Sequence, residues 1–592
     1  MKSKFKKAWL VMAIAMAGGL FGCGNDDDST ASAPPPQQDQ TAAAVNDIQN
    51  VVVIFAENRS FDNLYSDFPG VASPLAKAAY PAQVNRDGTT QLTSLPKIWG
   101  GLTSATDADP TVSGASPIPQ FDTGVPMVTA AETEGMPNAP FAINEVYQGV
   151  GLTAVNHDLW HNFYQNQMQI DGGKNDMFAA WADDAGGLVM GHFSGDAQSL
   201  PLWKVAQKYT LADNFFMGAF GGSFLNHQFL IAAAAPVDKL DTDARKALVA
   251  HLTDGDTGYH LKVKAADPTT LPTPMDAMTI SANTIFENAG TITPDGYDIN
   301  TMQPPYQPSG NKPATGATGN ALLLADPGNA KTVSPQTGPT IGDYLSQKNV
   351  EWAWYSGGWD YALARDTDPT GWKGGDPYGV AYSDNGTPYP NFQTHHQPFN
   401  YFKRFDPTTQ AGQAERVEHL KDAGVQGEKF VSDIDRGQLP PVAFYKPVGY
   451  LNEHNGYANV KLGDDHIADI ISHLEKSPQW AHMLVIVTYD ENGGLWDHVA
   501  PPKGDRFGPG SRIPAIIVGP TVRKGCVDHT MYDTTSILRF ITRRWDLDTL
   551  PGLQTRIDAL AKNNDGVSQG DLSNVLAPAQ VDSKLMTCGA TS

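Results

Sequence analysis

Cysteine is scarce in this chain: three in 592 residues, at positions 23, 526 and 588. So few thiols exclude a disulfide-built scaffold and a thiolate metal site, so any metal here must be held by oxygen or imidazole. Basic residues are also few, 41 Lys+Arg against 64 Asp+Glu, for a formal net charge of −23 and a pI near 4.9. A surface this negative repels phosphate backbones and excludes nonspecific nucleic-acid binding, although a phosphate substrate needs only a local positive site. The apolar run Ala8 to Gly22 is too short to span a bilayer comfortably. Periodic self-similarity is absent as well, which excludes a repeat protein. What the chain does have is 57 glycines and 43 prolines with only 18% charged residues, the composition of an enzyme with long ordered loops. Its length allows several domains or one large α/β unit.

The apolar run follows the basic segment MKSKFKK and stops directly at Cys23. This pattern predicts a bacterial lipoprotein signal over residues 1–22, with cleavage before Cys23 and lipid on its thiol; an ordinary secretory signal with an incidental cysteine is the alternative. The expected location is therefore a membrane-anchored lipoprotein, periplasmic or at the cell surface, and otherwise a periplasmic or secreted protein. Losing residues 1–22 removes four lysines and no acid, taking the charge from −23 to −27. Residues 23–48, polar and Pro-rich, are expected to be a disordered tether. Residues 49–592 are then expected to form the folded domain with a C-terminal tail. Cys526 and Cys588 suggest one disulfide pinning that tail; two buried free thiols would explain them too.

Two apolar runs, Val51 to Phe55 and Met483 to Tyr489, predict buried parallel strands. Each stops at an acidic-polar pair, Glu57-Asn58 and Asp490-Glu491. Ligands in open α/β sheets sit beyond the carboxyl ends of strands, so the four residues together predict an oxygen-rich site for a divalent cation. Helix capping by Asn58 or Ser60, and a solvated acidic turn at Asp490-Glu491, explain the same letters. Gly493-Gly494 allows close backbone approach, and Asp497-His498 could orient the ligands. Between the pairs, Gly221-Gly222-Ser223 precedes a predicted helix from Phe224 to Ala235. A serine there has an exposed hydroxyl beside unpaired N–H groups, suited to attack on phosphorus, although plain N-capping accounts for it equally.

Several motifs occur in one order: ENRSFDNLY, NHDLWHNFYQNQMQIDGGKNDMF, GGSFLNHQ, HHQPFNYF, KPVGYLNEHNG and TYDENGGLWDHVAPP. Together they resemble the bacterial acid phosphatase and phospholipase C superfamily, over roughly Val51 to Leu547. The resemblance implies an alkaline-phosphatase-like α/β fold, a large twisted and mostly parallel sheet sandwiched by helices, with long inserted loops forming a lid. It implies that Glu57, Asn58, Asp490 and Glu491 hold one divalent metal of unknown identity, with Ser223 completing the site as nucleophile. His161, His396 and His454 match its active-site histidines, with His157 and His395 as competitors for the first two roles. Asn58, Asn226 and His396 would steady phosphoryl oxygens. Ser223 would attack phosphorus, His454 or His161 would protonate the departing oxygen, and water would then hydrolyse the phosphoserine. The remaining histidines outside the motifs read as surface or packing residues.

Branch assignment is mixed. Asp490-Glu491 follows the phospholipase form, whereas Ser223-Phe224-Leu225-Asn226-His227 and HHQPFNYF follow the phosphatase form. The expected function is a broad-specificity acid phosphatase; the alternatives are a phospholipase C cleaving choline lipids and, less favoured, a non-catalytic surface lipoprotein. The expected partners are a phosphoester substrate and, through Cys23, a membrane. Oligomeric state is left open. Residues from about Asn85 to Thr129 and Thr279 to Thr337 read as long loops. In EWAWYSGGWDY, core packing is the expectation for at least half of Trp352, Trp354, Tyr355, Trp359 and Tyr361.

Overall fold

The computed structural model describes residues 37–103, 118, 120–264, 285–366, 380–382, 388–390, 392–577 and 584–589. The expected signal, Cys23 and most of the expected tether lie outside them. The end of that tether is not irregular. Gln37–Asp47 forms helix α1, because its Gln and Ala residues favour helix and Ala44, Val45 and Ile48 are buried against the body.

Nine strands build one sheet: β1 (Asn50–Ala56), β2 (Thr210–Ala212), β3 (Trp352–Gly357), β4 (Leu420–Gly424), β5 (Val442–Lys446), β6 (Met483–Tyr489), β7 (Ala515–Val518), β8 (Cys526–Asp528) and β9 (Met586–Cys588). Their order across the sheet is β9-β8-β2-β7-β6-β1-β5-β3-β4. Five pairings are parallel, and only β6–β7, β7–β2 and β8–β9 are antiparallel. Every residue of β1, β3, β5, β6 and β7 is buried, so both faces of the sheet are covered, as the unbroken apolar runs require. Helices flank the sheet, among them α2 (Phe61–Tyr65), α3 (Pro201–Lys208), α4 (Ser223–Ala232), α5 (Val460–Lys476) and α6 (Thr535–Trp545). This is the expected α/β architecture. No helix among the described residues is long and apolar enough to cross a membrane.

Position β1 at the centre decides where the motifs meet. Val53 of β1 pairs with Phe444 of β5 on one side and Ile486 of β6 on the other, all three strands running in parallel. Their carboxyl ends therefore open on one edge. Ala56 pairs with Tyr489, which sets Glu57 beside Asp490. Two antiparallel steps through β7 bring β2 back into the same direction, so the segment leading to Ser223 emerges on that edge too.

Of the five aromatics in EWAWYSGGWDY, Trp352, Trp354, Tyr355 and Trp359 are buried and Tyr361 is exposed. Cys526 and Cys588 are disulfide-bonded, which fastens β9 to β8 as the outer strand.

Candidate active site

At the carboxyl edge of the sheet lies a cavity of about 340 Å³ whose lining includes Glu57, Asp158, His161, Ser223, His395 and His454. A larger cavity, about 790 Å³, sits at the far end of α4 and holds none of the candidate catalytic, phosphate-binding or metal-binding residues. Candidate site residues line the smaller one.

Ser223 is the first residue of α4, and Gly222 occupies the cap position without a side-chain bond, so N-capping does not explain the serine. Gly221 has φ +85°, and a Cβ there would stand 2.4 Å from the Phe163 nitrogen; only glycine allows this approach. The Ser223 side chain lies beside the Asp490 carboxylate and works against the upward push of burial on it. Asn226 does not face the cavity. Its amide accepts from Ala219 N–H at 2.8 Å and donates to the carbonyls of Ala219, Gly221 and Gly222, so it locks the loop that presents Ser223. The expected phosphate contact at Asn226 is corrected accordingly: its polar atoms are used up.

Glu57 is fully buried. Its Oε2 accepts from Asn452 Nδ2 and from the Tyr457 hydroxyl, each at 2.9 Å. Its Oε1 lies 2.8 Å from Lys446 Nζ and against His396 Nε2, in ion-pair contacts outside hydrogen-bond geometry. Burial pushes this carboxyl up, but His396 and Lys446 outweigh it and hold the group well below the usual carboxylate range. Asp490 goes the other way: burial pushes it up to about 7. Glu491 is raised well above its ordinary value by burial and by Asp490 beside it. Asn58 sits at φ +64°, a conformation asparagine tolerates, with its backbone N–H donating to Asp490 Oδ1 at 3.3 Å. Gly493, at φ +62°, passes so close that a Cβ would meet the Asn58 Cβ at 2.7 Å.

A divalent cation fits these donors. Glu57 Oε1, Asn58 Oδ1, Asp490 Oδ2, Glu491 Oε1 and His227 Nε2 are all buried without a hydrogen-bond partner. Unsatisfied atoms of this kind cost free energy unless something binds them. One atom each from Glu57, His227 and Asp490 lie within 4.8 Å of one another. Glu491 stands apart from that group: its Oε2 accepts from Gly493 N–H at 2.5 Å, and its Oε1 is 3.5 Å from His161 Nε2.

His161 and His454 face each other, ring centroids 5.7 Å apart, and both line the cavity. Burial lowers His454 below the ordinary imidazole value. His157 is not at the site; its Nε2 lies 3.4 Å from Asp184. The HHQPF pair resolves differently from expectation. In the tight turn Thr394–His396, His395 lines the cavity whereas His396 turns behind Glu57. Burial takes His396 down to about 4. Asp497 and His498 join Asp62 and Arg512 in a separate buried cluster.

Reading the sequence missed Lys446, His227, Asn452 and Tyr457. For His227 a signal was there: it lies four residues after Ser223, on the same helical face, and its Nδ1 is 2.8 Å from the Ser223 carbonyl. Lys446 and Asn452 lie in the KPVGYLNEHNG motif and Tyr457 follows it directly, but only the pairing of β5 with β1 brings them to Glu57.

The model of the phosphoesterase family matches residues 48–548. The chain belongs to that family, whose class is the phosphoric ester hydrolases. Among curated relatives it is similar to a non-hemolytic phospholipase C of Burkholderia pseudomallei, 27% identical over 237 residues, which is 35% of this chain and 32% of that protein. It is also similar to phospholipase C B of Mycobacterium tuberculosis, 31% identical over 155 residues, 22% of this chain and 29% of that protein. The chain thus spans about a third of the length of the curated relatives it matches. Among solved structures, it is similar to a protein in the alkaline phosphatase superfamily from Vibrio parahaemolyticus, 9% identical, covering 60% of this chain and 62% of that one with a TM-score of 0.27.

Proposed function

We propose that this chain is a metal-dependent phosphoric ester hydrolase with Ser223 as nucleophile, acting on small phosphomonoesters as a broad-specificity acid phosphatase. The observation that carries this reading is the arrangement of Ser223: first residue of a ten-residue helix, beside the Asp490 carboxylate, in a small cavity of polar lining. The helix N-terminus offers unpaired N–H groups to a phosphoryl oxygen.

Glu57, Asn58, Asp490 and Glu491 would hold the ion, with His227 an additional candidate. Once ionised, the three buried carboxylates against the one ammonium of Lys446 would carry two negative charges, the complement of a single divalent cation. When bound, the ion would lower the pKa of the Ser223 hydroxyl and neutralise phosphoryl charge. Ser223 attacks phosphorus in line; His454, with His161 beside it, protonates the departing oxygen. The same imidazole then takes a proton from the water that hydrolyses the phosphoserine. His395, on the cavity wall, replaces His396 as the imidazole that contacts the phosphoryl group.

Phospholipase C is the second reading, favoured by the names of the curated relatives. Phe224 is the one wholly apolar side chain of any size lining the described part of the cavity, which supports the monoester reading over a lipid one. On the sequence pattern alone, we also propose export and a lipid anchor at Cys23.

The test compares wild type with Ser223→Ala on p-nitrophenyl phosphate and on phosphatidylcholine vesicles, with and without chelator. Monoester turnover that falls roughly 10³-fold or more in Ser223→Ala and stops with chelator is the expected result. Preferential lipid cleavage would transfer the chain to the second reading. Equal rates in both proteins would end the assignment of Ser223.

A further inference from the structure

Behind the cavity, Asp62, Asp497 and His498 bring ligand atoms within 4.8 Å of one another, the spacing of a second metal site. The cluster already contains a cation. Arg512, 2% exposed, donates from Nη2 to Asp62 Oδ1 and from Nε to Asp497 Oδ1, each at 3.0 Å. Its Nη1 donates to the Asp213 carbonyl at 3.0 Å, its own carbonyl accepts from Phe61 N–H at 3.0 Å, and the guanidinium lies 4.2 Å over the Phe61 ring.

Each partner belongs to a different piece of the candidate active site. Asp62 is four residues past Asn58, in α2. Asp497 closes the loop that begins at Asp490-Glu491. Asp213 follows β2 and starts the segment that ends at Ser223. Backbone pairing extends the connection: Ile513 N–H bonds to Phe215 O at 2.9 Å, and Met217 N–H to Ser511 O at 3.1 Å. The two acidic loops are also tied to each other. Asp62 N–H donates to Asp497 Oδ2 at 3.0 Å, His498 N–H to Asp62 Oδ2 at 2.7 Å, and Ser60 Oγ to the Trp496 carbonyl at 2.8 Å.

We propose that Arg512 is a positioning residue for this site: its guanidinium is the resident cation of a buried brace that holds Glu57-Asn58, Asp490-Glu491 and the Ser223 loop in register. A planar fork with several donors can serve two carboxylates and a carbonyl at once, which a lysine ammonium on a flexible stem cannot. The brace rests on the reading of the site given above.

The test uses the full chain and Mn²⁺ as the probe ion, followed by electron paramagnetic resonance, with p-nitrophenyl phosphate kinetics alongside. Arg512→Lys is expected to stay folded by circular dichroism, bind Mn²⁺ about 10–100-fold more weakly and lose kcat, with KM changed much less. Should Arg512→Lys fail to fold, Asp497→Asn, which keeps side-chain size and an acceptor, is expected to show the same pattern. Mn²⁺ affinity and kcat both within twofold of wild type would overturn the brace. So would a second Mn²⁺ bound by wild type and lost in Asp62→Asn, because the cluster would then be a metal site. If wild-type turnover proves independent of Ser223, the functional reading falls, while the Mn²⁺ affinities still decide the brace.

Discussion

Lys446 is the last residue of a strand in which every side chain is buried, a place where hydropathy expects no charge. Burying an ammonium is costly unless it is paired, and Glu57 is the partner. His396 and Lys446 together keep Glu57 ionised, whereas burial pushes Asp490 towards protonation against Lys446, and burial with Asp490 beside it pushes Glu491 the same way. The acids were legible in the sequence because paired acids after an apolar run have few structural uses. The role of the lysine was not, although it opens the KPVGYLNEHNG motif, because that role depends on a neighbour 389 positions away. Among the imidazoles, His454 carries the sharpest expectation. If it protonates the departing oxygen, His454→Gln should lose about 10²–10⁴ in kcat on an alkyl phosphate such as glycerol phosphate, yet much less on p-nitrophenyl phosphate, whose leaving group needs no proton. Equal losses on both substrates would remove His454 from that role.

Elements were easier to read than their order. The runs that became β1 and β6 are bounded almost as the apolar pattern suggests, and α4 begins one residue before its predicted start. Nothing local says that β1 lies between β5 and β6, since both neighbours arrive by long crossovers. At the other side of the sheet, β2 and β8 run in parallel, and their carboxyl ends are joined by His529 Nδ1, 2.9 Å from the Asp213 carboxylate. The hydrogen bond to Asp213 raises His529 above its ordinary value, against partial burial. A raised imidazole stabilises the fold fully below the unfolded value of about 6.5 and loses that contribution as pH rises through the folded value. Urea midpoints of wild type and His529→Gln should therefore differ most near pH 6 and converge towards pH 8.5. A gap independent of pH would show that the imidazole proton is not linked to folding.

For the molecule as a whole, the last strand is held by covalent chemistry as well as by hydrogen bonds. The Cys526–Cys588 bond closes a separation of 62 residues, a loop that stabilises by about 4 kcal/mol in the chain-entropy view. Reduction, or Cys588→Ser, should lower the guanidinium midpoint by a corresponding amount while leaving turnover at the distant cavity intact below the transition. An unchanged midpoint would mean that the tail contributes nothing to global stability.

Helix α1 changes the geometry of attachment. Because the helix begins at Gln37 and docks on the body through Ala44 and Val45, fourteen residue steps separate its start from Cys23, where an irregular segment up to residue 48 would have allowed twenty-five. Fully extended, fourteen steps reach about 50 Å, and twenty-five about 90 Å. With a lipid on Cys23, the leash is therefore little longer than one bilayer is thick. If the proposed anchor at Cys23 holds, an enzyme on so short a leash would patrol a thin layer of solvent beside its own membrane and work on what is released or delivered there.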